Sequence, residues 1–219
     1  MPKTQLQNLT AIFFDFDGVL CRSVGIKTWA FGELYKQYGS DIQQQVIKYH
    51  EQHGGVSRYK KFEYYEAVLL GKPVTDDKIN QLADQFAKLV KQGVIESVPL
   101  PGAVELLQYL KQINKPAHVI SGTPDGELAQ IVERKGWSDY FISTHGSPTD
   151  KSTYINYLCA EHGYNPANCV MVGDALTDYT AAKNTGTKFL GVVEEGCYNP
   201  FPTGEVVIKS LVDAHLAEI

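Results

Sequence analysis

Four consecutive apolar residues, Ala11-Ile12-Phe13-Phe14, run straight into Asp15-Phe16-Asp17-Gly18, and this junction sets what the chain can fold into. An apolar run without polar alternation is a strand covered on both faces, the habit of parallel sheets sandwiched between helices. Extended backbone alternates sides, so the carboxylates of Asp15 and Asp17 share one side and Phe16 takes the other. Gly18 lets the chain turn sharply. Two carboxylates held together at a strand end repel unless a cation or a proton lies between them. A hard divalent ion such as magnesium, which prefers oxygen ligands, removes the conflict. An acidic turn after a buried strand is the plainer reading, and the stretch alone does not decide between the two.

The remaining chain supplies the context. From about Ser23 to Ser97 apolar residues recur at helical spacing and strand-like alternation disappears. Helices are expected at Ile26 to Tyr38, at Asp41 to Gln52, from a Ser57 cap to Leu70, and from a Thr75 cap to about Val94. From Val98 the pattern becomes αβαβ. Pro101-Gly102 opens a helix, and Ala117 to Ile120 is a strand ending in Ser121-Gly122-Thr123. Thr123 is expected to cap the next helix, with Pro124 in its first turn and Gly136 as its stop. A short strand is expected at Tyr140 to Ile142, and a helix capped by Asp150 from Lys151 to His162. Strand Cys169 to Val172, helix Thr177 to Asn184 and strand Lys188 to Val193 follow. Val206 to Ile208 and Leu211 to Ala217 give a last strand and helix. Strands alternating with helices imply an α/β fold, a doubly wound parallel sheet, interrupted here by an all-helical insert.

Composition narrows the partners. A formal net charge of -5 with no basic run argues against nucleic acid or an anionic membrane surface. No apolar stretch is long enough to span a bilayer, and Met1 to Thr10 does not read as a secretory leader. Cys21, Cys159, Cys169 and Cys197 show neither disulfide-scaffold nor CxxC spacing, so the expected compartment is the cytoplasm with reduced thiols. Oligomeric state is not legible.

In doubly wound sheets ligands bind beyond the carboxyl ends of the strands. Asp15 and Asp17 follow the first strand, Ser121 the second and Asp174 a later one, while Lys151 begins a helix. Taken singly, Ser121 reads as a loop hydroxyl and Asp174 and Asp178 as helix-start acids. Lysine is electrostatically unfavourable at a helix N-terminus, and a bound phosphate supplies a reason for Lys151. In order, the motifs DFDGVL (Asp15, Asp17), Ser121-Gly122-Thr123, Lys151 within GSPTDK, and GDALTD (Asp174, Asp178) resemble the four motifs of the haloacid dehalogenase superfamily. The likeness is to its phosphatase-like members with a helical cap, from about Leu9 onward.

The resemblance implies a Rossmann-like core at residues 1–22 and 96–219 with a helical cap at 23–95. It implies a magnesium-dependent phosphatase acting on a small phosphorylated metabolite, such as a sugar phosphate or a phosphoglycolate-like ester. Asp15 is then the nucleophile that forms an aspartyl phosphate, and Asp17 the general acid and base. Magnesium would be held by Asp15, the Asp17 backbone carbonyl and Asp174, with Asp178 behind them. Ser121, the Gly122 amide and Lys151 would hold the phosphate. Asp17 is the residue that the family's dehalogenases lack, which argues against carbon–halogen cleavage. A β-phosphoglucomutase-like phosphomutase uses the same motifs and is the alternative. A non-catalytic binding module on this fold is disfavoured by the filled positions.

Within the insert, HEQHGGVSRYKKFEYY, His50 to Tyr65, gathers cations and aromatics beside a Gly-Gly break. Arg58 is the candidate for clamping an anionic or hydroxyl-rich leaving group, and Lys27 is a second candidate. Tyr59, Phe62, Tyr64 and Tyr65 read either as cap core or as a surface for a sugar face.

Overall fold

The computed structural model describes residues 8–216. Strands β1 (Ala11–Phe14), β2 (Ala117–Pro124), β3 (Ser143–Ser147), β4 (Cys169–Gly173), β5 (Lys188–Val192) and β6 (Val207–Ile208) form one sheet in the order β3-β2-β1-β4-β5-β6. Every pairing is parallel. The alternation expected of a sheet covered on both faces is explicit. Ile12, Phe14, Val170 and Val172 point into one hydrophobic cluster, and Ala11, Phe13, Cys169 and Met171 into the other.

Helices α5 (Ala103–Gln112) and α6 (Asp125–Arg134) cover the first face. Helices α7 (Lys151–His162) and α8 (Leu176–Thr185) cover the second. The Asp150 carboxylate caps α7 by accepting from the Thr153 amide at 3.0 Å, as its position in the sequence implies.

Between β1 and α5 lie α1 (Val24–Tyr35) with a 3₁₀ turn at Lys36–Tyr38, α2 (Ser40–Gln52), α3 (Arg58–Tyr64) and α4 (Asp76–Glu96). Helix α3 runs on into a π-helical turn, Tyr65–Leu69. Phe31, Tyr35, Phe62, Tyr65 and Phe86 interlock at the centre of this insert, with the Phe31 and Phe86 rings 4.2 Å apart. Phe62 and Tyr65 are therefore core, and Tyr59 and Tyr64 pack half-buried against it. The chain enters and leaves the insert through paired backbone. The Leu100 amide donates to the Leu20 carbonyl, and the Arg22 amide to the Val98 carbonyl, each at 3.0 Å.

Four local expectations change. The third strand is Ser143–Ser147, because Ser138–Tyr140 closes into a 3₁₀ turn whose partly exposed residues do not pair. Strand β2 extends through Pro124, so Thr123 does not cap α6 and its hydroxyl is spent elsewhere. Ser57 sits at the start of α3 but makes no side-chain cap. The C-terminal Leu211–Leu216 segment is 3₁₀, and Ala217 lies outside the described residues. Among the described residues no helix is long and apolar enough to cross a membrane.

Candidate active site

Strand order reverses between β1 and β4, the crevice where such sheets place their ligands. The ladder carries on to Asp15, whose amide donates to the Val172 carbonyl at 2.9 Å. Asp174 follows β4 by one residue. The turn after Asp17 brings the two segments together. Gly18 has φ +79°, and a Cβ there would lie 2.1 Å from Asp174 Oδ2, so both the conformation and the space exclude a side chain.

Carboxylate oxygens of Asp15, Asp174 and Asp178 lie within 4.8 Å of one another. Burial, followed by the charges of Asp15 and Asp178, pushes the Asp174 carboxyl well above the usual carboxylate range. Asp178 is fully buried and pushed up to about 7, first by burial, even though Lys151 opposes the shift. The Lys151 ammonium lies 2.9 Å from Asp15 Oδ2 and also donates to Asp178 Oδ1. Burial alone would lower its pKa, but Asp15 and then Asp178 outweigh burial and hold it charged. Three acids facing one ammonium leave excess negative charge in a dry crevice, and such an all-oxygen donor set suits a divalent cation. Asp178 has little to offer as a ligand. Its Oδ1 is taken by Lys151 and its Oδ2 accepts from the Ala175 amide at 3.1 Å.

Asp17 has a different environment. Its Oδ1 accepts from the Ser23 hydroxyl at 2.5 Å. Its Oδ2 accepts from the Thr123 hydroxyl at 3.1 Å and from the Lys27 ammonium, which also donates to Thr123 at 2.7 Å. Burial would raise this carboxyl. The Lys27 charge and the hydrogen bonds from Lys27, Ser23 and Thr123 together overcome burial and hold it below the usual range. The two acids of one motif are thus separated by their partners, Asp15 toward Lys151 and Asp17 toward Lys27.

A cavity of about 490 Å³ opens above these groups, lined on the core side by Asp15, Asp17, Ser121, Gly122 and Asp174 and on the insert side by Lys27, His50 and Lys61. A second cavity of about 410 Å³ shares Ser121 and Gly122 and reaches Lys151. The insert presses on the site through backbone. A Cβ on Gly122 would lie 2.7 Å from the Gly55 carbonyl oxygen, and the Thr177 hydroxyl donates to the Gly54 carbonyl at 3.3 Å.

Asp15, Asp17, Ser121, Gly122, Asp174 and Lys27 thus line one cavity, with Lys151 and Asp178 directly behind Asp15. Arg58 reaches this cavity too, but its guanidinium is committed. It makes two 2.8 Å hydrogen bonds to Glu127 on α6 and lies over the Phe86 ring. Sequence reasoning gave Ser23 no role, and named Thr123 only within its motif and as a helix cap, and His50 and Lys61 only among the cations of the insert. Ser23 and Thr123 each sit close in sequence to a motif residue, and their hydroxyls were the available signal.

The haloacid dehalogenase-like hydrolase family model matches residues 9–186. A phosphoglycolate phosphatase from Vibrio vulnificus is 25% identical over 194 residues, covering 85% of this chain and 84% of the relative. Two solved structures share the fold. A predicted phosphoglycolate phosphatase from Haemophilus somnus has a TM-score of 0.74 at 21% identity, covering 94% of this chain and 96% of the other. A β-phosphoglucomutase from Clostridium difficile has a TM-score of 0.76 at 19% identity, covering 94% and 92%. The chain belongs to the haloacid dehalogenase-like hydrolases, and is a phosphatase-type member of that superfamily.

Proposed function

We propose that the protein hydrolyses a small phosphate monoester, of the sugar phosphate or phosphoglycolate kind, through a phosphorylated Asp15. The observation that carries this reading is the different company kept by two carboxylates two residues apart. Asp15 points at Lys151 and Asp174, where a phosphate and a cation would meet. Asp17 is held among Lys27, Ser23 and Thr123, at the mouth of the cavity under the insert. Residues 1–22 and 96–219 are read as the core, and 23–95 as a cap that excludes water from the site.

An Asp15 carboxylate oxygen attacks phosphorus while the ester P–O bond breaks. The leaving oxygen takes a proton from Asp17. Asp17, now ionised, takes a proton from water as that water displaces the Asp15 carboxylate and releases inorganic phosphate. Ser121, the Gly122 amide and Lys151 orient and neutralise the phosphate oxygens. Asp15, the Asp17 carbonyl and Asp174 would hold Mg²⁺, which supplies further positive charge to the phosphate when bound. The Lys27 pairing matches the ionised Asp17 of the second half-reaction. The first requires a protonated Asp17, and so a substrate anion that draws Lys27 away from it.

A phosphomutase would use the same core. The matched Vibrio relative is named a phosphatase, while the mutase likeness is one of fold. The test is phosphate release from a panel of monoesters with Mg²⁺ or chelator, followed by single-turnover trapping with an activated aryl phosphate. Asp15→Asn should accumulate no protein-bound phosphate. Asp17→Asn should still be phosphorylated by the activated ester but lose about 10²–10⁴-fold in hydrolysis of the phosphoenzyme. Phosphate accumulating on the Asp15 variant, or isomerised sugar phosphate in place of inorganic phosphate, would overturn the reading.

A further inference from the structure

Beyond the phosphoryl-transfer groups, the cavity ends on two insert residues that the proposed reaction leaves unused. Lys61 on α3 is 2% exposed, and its ammonium lies 2.7 Å from His50 Nδ1 on α2. Both residues line the cavity. The Phe31 ring sits beside them, 5.4 Å from the ammonium and 4.7 Å from the imidazole. The other cations around the site each have a carboxylate: Lys27 has Asp17, Arg58 has Glu127, and Lys151 has Asp15 and Asp178. Among the described residues Lys61 has none within ion-pair distance.

Lysine is almost never fully buried without a counter-charge, because dehydrating a lone ammonium is costly. The neighbouring imidazole does not offset this. It is neutral, held down to about 3 by burial and then by Lys61. Its Nδ1 faces the ammonium and accepts from it, so its proton is on Nε2. That Nε2 is buried and without a partner. The cavity wall therefore holds an ammonium without a counter-charge, backed by an imidazole whose own N–H is buried without a partner, beside the Phe31 and Phe86 rings. Lys61 is pulled down to about 7, chiefly by burial and next by Lys27, while Asp17 and Asp174 oppose the shift. Lys61, Asp17 and Asp174 line the same cavity.

Resting on the phosphatase reading, we infer that Lys61, backed by His50, recognises a carboxylate on the leaving side of the ester, so that the substrate is a small phosphorylated hydroxy acid. A carboxylate brings the missing counter-charge and acceptor sites for the ammonium's remaining protons. Two apolar rings and a charged donor suit a compact acid better than a hydroxyl-rich sugar face, which needs many acceptors and donors around it.

The test compares kcat/KM for 2-phosphoglycolate with that for a neutral aryl phosphate, in the parent protein and in Lys61→Met, both with Mg²⁺. The parent should favour the acid ester, and in Lys61→Met the ratio should fall by about 10²-fold, as expected when one partner of a desolvated charge pair is removed. Equal loss on both esters means a structural role and overturns the inference. A second measurement needs no variant: free glycolate should inhibit aryl phosphate hydrolysis by the parent far better than ethylene glycol does. Equal inhibition overturns the inference as well. If the parent hydrolyses the aryl phosphate but does not favour the acid, this inference fails and the phosphatase reading stands. If it hydrolyses neither ester nor any monoester of the panel, the phosphatase reading fails.

Discussion

Removing the Glu127 carboxylate should destabilise this protein more than removing any exposed charge. The Arg58 guanidinium and Glu127 form a two-pronged pair, both bonds 2.8 Å, with side chains only 4% and 11% exposed. The pair joins α3 of the insert to α6. Glu127→Ala leaves a guanidinium buried without its counter-charge, a defect of about 3–5 kcal/mol. An exposed pair such as Lys111–Asp139, at 51% and 86%, is worth about 0–1 kcal/mol. At roughly 2–4 °C per kcal/mol for a chain of this size, Glu127→Ala should lower Tm by about 10 °C. The double variant Arg58→Met with Glu127→Leu removes both charges and their dehydration penalty together, and should sit closer to the parent than Glu127→Ala does. Urea unfolding followed by circular dichroism and by the fluorescence of buried Trp137 measures all three proteins. A Glu127→Ala loss within about 1 kcal/mol, the exposed-pair range, would refute the reasoning. So would a double variant no closer to the parent than Glu127→Ala.

Gly18→Ala should fold less stably and abolish Mg²⁺-dependent turnover, because its methyl would occupy the space of Asp174 Oδ2 at a positive φ; a fully active variant would refute this. Asp178 is pushed up to about 7 in the fold against about 3.9 unfolded, so the native state binds the extra proton between those values and its stability contribution falls as pH rises through that window. His50 and His118, held at about 3 and about 4 by burial first, act oppositely up to about 6.5. The difference between melts with Mg²⁺ and with chelator cancels the histidines. It should widen from about pH 5 to about pH 7.5 as the acids lose protons to the cation, and a pH-independent difference would refute the assignment.

Periodicity and turn chemistry carried most of the fold. The two-sided burial of Ala11 to Phe14 required helices on both faces, and four runs with apolar residues at helical spacing and no alternation required a helical insert. The third strand slipped because Tyr140 to Ile142 is apolar enough to resemble a strand, while Ser143–Ser147 pairs at an edge where polar residues are tolerated. The acids were legible because each stands at the end of an element that announces itself. Lys61 and His50 were not, since they lie on different helices and nothing in their spacing shows that α2 and α3 bring them into contact. Arg58 drew attention as a cation, but its partner Glu127 is 69 residues away.

The contact between insert and motif loops has a consequence for how such a protein can change its substrate. Gly54-Gly55 offers only main chain to Gly122 and to the side chains of Ala175 and Thr177, and a methyl on Gly122 would already collide with the Gly55 carbonyl. Lys61 and His50 face the cavity from α3 and α2 and take no part in that junction. Fit between insert and core is thus written here in glycine backbone, with the Arg58–Glu127 pair beside it, and chemical preference in side chains a few residues away. A lineage can exchange the second set freely while the first stays fixed, so new selectivity can arise here without renegotiating how the two parts meet.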